Sequence, residues 1–390
     1  MNIAYIYYLL RPGQTGVELK IKQQAAAAFA AKLNLDVVVL NLWHEGEIDH
    51  VHYVKLPQST APVNYFKYLF RRYPLIESSF NLKNYDYLIV RYPLADRTGL
   101  AFTEKYRVIM EHHTKEPLEL RSQLRTKAGS SALERIARRL MLFLELRYGT
   151  AVLRNCSGII ATNNTVRQFQ ETRTAPKQVP TITIGNGADV ANIPVTGFKV
   201  FDGKQLDLVF LLSRLQPWQG LERIIASINA YFGNIKIRLH VLGNVRAEEV
   251  KISDLSKVQF YGPQTGDALD GILADMNLGI STLALYKKNM DEVSSLKTGE
   301  YTARGLPFIL ANEDSDLAAA APDKRFFLQF KNDGSLLDVP QIIEFAQAMT
   351  ERREEIVAYM RHYATTMLDW RVKLQQYVDF VQMIDKKGQQ

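Results

Sequence analysis

Cysteine is almost missing from this chain of 390 residues: Cys156 is the only one. No intrachain disulfide can form, and ahead of the apolar "GIIAT" the thiol reads as inert and partly buried. Long hydrophobic runs are missing too; none reaches the roughly 18 residues that cross a bilayer. The first segment, "NIAYIYYLL", has no basic n-region and no small-residue cleavage site, so a signal peptide is not expected. Zinc-ligand spacing, an RNA-binding signature and a basic tail are all lacking, which argues against nucleic acid as a partner. No repeat of solenoid period and no low-complexity tract occurs. The formal charge of +7 is modest for this length and suits a phosphorylated ligand, an anionic membrane surface or nothing specific. A cytoplasmic protein is expected.

The composition that remains is ordinary for a globular chain, with 47% hydrophobic and 23% charged residues. The length suits two domains. Short apolar runs alternate with helical patterns. Strands read at "NIAYIYY", "DVVVLNL", "YDYLIVR", "YRVIMEH", "GIIAT" and "TITIG", then again at "LDLVFLL", "IRLHVLG", "VQFYG", "LGIST", "PFILA" and "RFFLQF". Many lack polar alternation, as expected when both sheet faces are covered. The alanine-rich "LKIKQQAAAAFAAKL" is a good helix. The pattern is α/β twice over, with residues 1–190 as one domain, a Pro- and Gly-containing linker at 191–205, a second domain at 206–365, and a last helix at 366–390. Open parallel sheets bind ligands beyond the carboxyl ends of their strands, so functional residues should follow strands.

Several candidates do. Gly13 and Gly16 follow the first strand and lead into a helix, which suits either an anion-binding turn or a plain strand-to-helix connection. Glu111, His112 and His113 end the strand "VIMEHHT"; alternation sends neighbours to opposite faces, so one histidine can face a ligand while the other packs. Arg214 follows "LDLVFLL", ahead of a turn with Gln219 and Gly220. In "DEVSSLKTGEYTARGLPFIL", Ser294 or Ser295 caps a helix that runs to Gly305. Lys297 then sits in the first turn, where it opposes the helix dipole unless an anion joins them. Lysine, helix N–H groups and two carboxylates, Glu292 and Glu300, match the needs of a nucleotide sugar, cations for a diphosphate and carboxylates for hydroxyls; an ordinary charged helix start is the other reading.

Taken together, these stretches resemble the glycosyltransferases of family 4, which have the GT-B fold of two Rossmann-like domains facing each other across a cleft, with a C-terminal helix crossing back to the first. The resemblance runs through nearly the whole chain. It is carried by the E-x7-E pair Glu292 and Glu300 within "SSLKTGEYTARGLPFI", by "SRLQPWQGLERII", "IGNGADV" and "EHHT", and by the helix from Trp370. It implies a retaining, metal-independent hexosyltransferase-like enzyme of polysaccharide biosynthesis, which moves a sugar from a UDP- or GDP-linked donor to a glycan, lipid-linked saccharide or glycoconjugate hydroxyl, with no cofactor beyond that donor. Glu292 would hold the donor sugar near its reacting carbon, and His113, or else His112, would touch the same sugar. Glu300 would hold the ribose. Arg214 and Lys297, with N–H groups near Ser295 and Leu296 and the turn at Gly16, would bind the diphosphate. Gly243 and Tyr261 would flank the base. The chain departs from the family at Gln219, where lysine is usual, so one diphosphate cation is missing or supplied elsewhere. Its glycines at 13 and 16 are split by Gln14 and Thr15. Alternatives are a catalytically silent GT-B subunit that binds a partner transferase, and a nucleotide-sugar epimerase.

Between Lys115 and Arg147 eight Lys/Arg face four Asp/Glu in the sequence. Leu133, Ile136, Leu140, Leu144 and Tyr148 recur there at helical spacing, which suits a core-facing helix with a basic outer face, or contact with anionic lipid on the inner face of the cell membrane. "FKYLFRRYP" adds a second basic-aromatic stretch.

Overall fold

The computed structural model describes residues 1–9, 15–41, 49–55, 71–126 and 132–388. Gly13, Gln14 and most of "FKYLFRRYP" lie outside the described residues. The chain forms two compact units, Met1–Gly185 with Lys373–Gln390, and Asn186–Val372.

Among the described residues, the first unit holds seven parallel strands: β1 (Ile3–Leu9), β2 (Leu35–Asn41), β3 (Val51–Lys55), β4 (Tyr87–Arg91), β5 (Val108–His112), β6 (Gly158–Ala161) and β7 (Thr181–Thr183). Their order is β3-β2-β1-β4-β5-β6-β7, and Ile3 pairs with Leu35 on one side and Tyr87 on the other. Its helices are α1 (Thr15–Ala30), α2 (Arg72–Ser79), α3 (Arg97–Lys105), α4 (Glu116–Thr126), α5 (Ala132–Asn155) and α6 (Asn164–Thr174). Alternation sorts the strands between two cores. Ile3, Tyr5 and Tyr7 pack with Ile21 of α1 and with Leu374, Tyr377 and Val381 of the final helix. Ala4 and Ile6 pack on the opposite face with Tyr73, Phe102 and Val152. The strand order reverses at β1 and β4, so this sheet has its switch point there.

The second unit holds β8 (Gln205–Leu212), β9 (Lys236–Gly243), β10 (Val258–Gly262), β11 (Leu278–Ile280), β12 (Phe308–Leu310) and β13 (Phe327–Gln329), all parallel, in the order β10-β9-β8-β11-β12-β13. Its helices are α7 (Leu221–Asn229), α8 (Gly266–Ala274), α9 (Leu296–Arg304), α10 (Val339–Glu351) and α11 (Arg353–Tyr363); α12 is Trp370–Gly388. Here the order reverses at β8 and β11, which puts the switch point beyond Leu212 and Ile280. Residues 191–205 are counted in this unit: the Gly197 N–H donates to the Arg304 carbonyl, and Phe198 is fully buried.

β3 does not register as a strand in the sequence. Residues 51–54 are half-buried or exposed and the strand pairs with β2 alone at the sheet edge, so it lacks the apolar run of its neighbours. Among the described residues, no helix is long and apolar enough to cross a membrane.

Candidate functional site

The carboxyl ends of β8 and β9 meet at one glycine. Gly243 has φ +127°, and a Cβ there would lie 1.6 Å from the Leu212 carbonyl oxygen. Only glycine lets the two strand ends come this close. Arg214 follows two residues after β8, exposed to solvent. The chain then turns through residues 217–219 onto α7. Gln219 is buried, its amide oxygen accepts the Gln216 N–H at 3.0 Å, and its carbonyl accepts the Leu283 N–H. Its side chain therefore shapes the turn.

Helix α9 enters the same region from the other side of the switch point. Tyr301 anchors it: the phenol oxygen accepts the Leu211 N–H at 3.2 Å and donates toward the carbonyls of Val209 and Ile280. Ser295 is the N-cap, as expected, yet no side chain caps the helix. Its first N–H groups are left for another acceptor. Gly305 ends it in the left-handed region, φ +76°. Lys297, in the first turn, has its Nζ shielded from solvent, without a hydrogen-bond partner, 4.5 Å from the Phe210 ring centre. Burial pulls its ammonium down to about 7. A lysine so placed is a cation lacking its anion.

The carboxylates are arranged differently from each other. Glu292 is 5% exposed, and its backbone bridges to Glu313. Glu300, four residues before Arg304, accepts from Arg304 Nε at 2.9 Å, and Arg304 also meets Asp270 at 2.7 Å. Tyr261 lies within β10, next to its last residue. Its hydroxyl meets His240 Nδ1 at 2.9 Å; His240 Nε2 meets Asp207 at 3.1 Å, and Lys199 meets Asp207 at 2.7 Å. Burial pushes the Asp207 carboxyl up, but bonds from His240, Lys199 and Gln205 outweigh it and hold the group at about 2.

Sequence reasoning missed several polar groups here. Thr282, just after β11, is fully buried with its Oγ1 unpartnered, and the Asn312 Oδ1 beyond β12 is unpartnered too. The strand-end rule that singles out Arg214 would also have singled out both. Ser294 accepts the Asn186 N–H at 2.7 Å and donates to Asp316 at 2.8 Å, while Asn186 Nδ2 donates to the Ser294 carbonyl. The "IGNGADV" turn is thereby fastened to the loop that carries Glu292.

In the first unit the two histidines part as alternation requires. His112 is fully buried, its Nδ1 2.8 Å from Glu116, with Gln170 bridging both. His113 Nε2 lies 3.0 Å from Glu111 on the opposite face, where Lys20 and the Tyr377 hydroxyl also bond Glu111 at 3.1 and 2.8 Å. Burial lowers His113 to about 4 and Lys20 to about 8. Burial alone would raise the Glu111 carboxyl, yet His113 and Lys20 hold it well below the usual range. Gly16 lies in the first turn of α1.

No protein-family model matches the chain, and no curated protein does. Solved structures do. Sucrose-phosphate synthase from Thermosynechococcus elongatus aligns over 99% of this chain and 100% of its own, with a TM-score of 0.65 at 14% identity. Anabaena HepE, solved with UDP-glucose, aligns over 98% and 100%, with 0.62 at 14%. The fold is GT-B. The pneumococcal O-GlcNAc transferase GtfA, solved with UDP and GlcNAc, shares it over 98% and 99%, with 0.60 at 11%.

Within the second GT-B unit, three of the expected residues adjoin β8: Arg214 follows its end by two residues, Gly243 lies against the Leu212 carbonyl, and the Lys297 Nζ lies 4.5 Å from the Phe210 ring centre, in the first turn of the helix that starts at Ser295 and Leu296. The Tyr261 hydroxyl and the Gln219 side chain are committed elsewhere, and Glu300 is held by Arg304. His113 and Gly16 belong to the first unit.

Proposed function

We propose that this chain is a glycosyltransferase that moves a sugar from a nucleotide diphosphate sugar to an acceptor hydroxyl. The observation that carries it is Lys297, a buried ammonium with no partner at an uncapped helix start beyond a parallel sheet's switch point. That combination attracts a diphosphate. As the glycosidic bond breaks, the sugar becomes oxocarbenium-like and negative charge grows on the leaving diphosphate. Lys297, the helix N–H groups and Arg214 meet that charge from fixed positions, so little reorganisation is needed as it forms. Shielding of the Lys297 Nζ from water strengthens its contact. These groups supply the positive charge, and the proposed reaction needs no metal.

Glu292 is proposed to hold donor-sugar hydroxyls and Glu300 the ribose, with Arg304 orienting the latter. His113, neutral at pH 7, would touch the sugar while its Nε2 is fixed by Glu111; the α1 start at Gly16 would approach the phosphates. Gly243 would let the base lie close to the backbone. Retention of configuration and membership of family 4 rest on the E-x7-E resemblance. The acceptor is proposed to be a glycan, a lipid-linked saccharide or a glycoconjugate, reached from the cytoplasm at a membrane surface. That proteins of this fold were solved with UDP-glucose, and with UDP and GlcNAc, supports a UDP-linked donor, with GDP as the other candidate.

The test is a panel of UDP- and GDP-sugars read by thermal shift. One donor should raise the unfolding transition; at a hundredfold excess over Kd, binding stabilises by about 2.7 kcal/mol. Lys297→Met and Arg214→Ala should abolish that shift. Failure of every nucleotide sugar to move the transition would sink the proposal. Gln219 favours a second reading, a silent subunit, because the residue at the usual lysine position is consumed by its own turn. Donor binding with neither transfer nor hydrolysis would select it; sugar interconversion would select an epimerase.

A further inference from the structure

Helix α5 carries large apolar side chains on both its faces. Its buried face holds Met141, Val152 and Leu153, but also the charged Arg138 and Glu145. Its outer face carries Leu133 at 51% exposure, Ile136 at 59%, Leu140 at 44%, Phe143 at 62% and Leu146 at 55%. The first four fall within roughly 80° of the helix circumference and span about 15 Å along its axis. Core contact, one of the two readings of this stripe, therefore fails for Leu133, Ile136 and Leu140. The orientation of the helix has a local cause. Glu145 is fixed inside by the Tyr92 hydroxyl at 2.9 Å, the Ala95 N–H at 2.7 Å and Arg173 at 2.6 Å. A carboxylate so bonded cannot turn outward, and the helix face opposite it must meet the outside.

Charge is sorted in the same direction. Of the four acids in 115–147, Glu116 and Glu145 are buried. Glu134 pairs with Arg138 at 3.1 Å, and Glu119 accepts from Gln123. Arg121, Arg135, Arg139 and Arg147 stay exposed, and Arg135 and Arg139 pair with no carboxylate among the described residues. On the helix, Arg135 and Arg139 run along one edge of the apolar stripe and Arg147 lies near its end. Helix α4 packs beside α5 and adds Leu118 at 42% exposure.

We propose that the outer face of α5 docks on an anionic lipid surface. Leu133, Ile136, Leu140 and Phe143 enter the boundary of headgroups and acyl chains, and the three arginines reach lipid phosphates. Large apolar side chains edged by unpaired cations are what an interfacial helix presents. The proposal stands on the first unit alone and does not depend on sugar transfer.

Flotation of the full chain with vesicles tests it. The protein should float with equimolar phosphatidylglycerol and phosphatidylcholine, less so in high salt, and stay behind with phosphatidylcholine alone. Each arginine removed should weaken binding about fivefold. Ile136→Ser with Phe143→Ser should abolish it, and Arg135→Gln with Arg139→Gln should weaken it about 25-fold. Thermal unfolding of all variants should match the parent, since these side chains are exposed. No flotation with anionic vesicles, or flotation unchanged by both double variants, overturns the proposal. So does a chain that ignores vesicles but elutes as a dimer split by the Ser variants, because the face would then join two copies.

Discussion

Lys297 should make the unliganded protein less stable, and removing its charge should make it more so. The ammonium titrates at about 7 in the folded chain against 10.5 when solvated. That gap of about 3.5 pH units corresponds to roughly 5 kcal/mol at about 1.4 kcal/mol per unit. The sign follows from proton binding. From pH 7 to 10.5 the unfolded chain holds this proton more tightly, so stability rises with pH. The penalty is complete below pH 7 and vanishes as pH passes 10.5. Lys297→Met removes the ammonium that lies 4.5 Å from the Phe210 ring centre and keeps an unbranched side chain. The variant should therefore gain about 4 kcal/mol at pH 7 but only about 2 kcal/mol at pH 9. Hydrogen–deuterium exchange in denaturant, read on peptides of residues 186–372, isolates the unit concerned. A donor diphosphate would restore the lost charge, so binding near pH 8 should take up close to one proton per site, measurable by calorimetry in buffers of different ionisation heat. A Met variant no more stable than the parent, or one whose gain is the same at pH 7 and pH 9, would show that the ammonium is not held out of water.

Glu111→Gln should cost the first unit about 3–5 kcal/mol, because the buried Lys20 would lose its 3.1 Å ion pair with that carboxylate. Glu111→Gln with Lys20→Met should recover much of that loss in a double-mutant cycle. Because Glu111 titrates below its ordinary 4.5, the gap between parent and Glu111→Gln should close as pH falls through that value and below, seen in denaturant titrations. Gly243→Ala should destabilise the second unit by about 4 kcal/mol or more, since its Cβ meets the Leu212 carbonyl; soluble yield and exchange rates report it. Ser294→Ala should cost about 1–3 kcal/mol by orphaning the Asn186 N–H, with faster exchange around 186–190 as the signature.

Repeated apolar runs separated by helical patterns were enough to give two α/β sheets, because parallel strands covered on both faces must be apolar throughout. Helix α9 was legible to its ends, since Ser295 and Gly305 carry start and stop signals within a few residues. Chain order also placed Arg214 and Lys297 beyond strands. Local pattern does not report partners that lie far off in sequence. Gln219 and Tyr261 looked available in the sequence, yet one is consumed by its own turn and the other by His240. Glu111 meets Lys20 and Tyr377, which are 91 and 266 residues away. Period in α5 showed that Leu133, Ile136 and Leu140 share a face. Which way that face points depended on Tyr92 and Arg173 holding Glu145 inside. Sequence thus determined which residues stand together on an element; tertiary structure decided what each faces, because burial and hydrogen bonding sum over neighbours that only folding brings into reach.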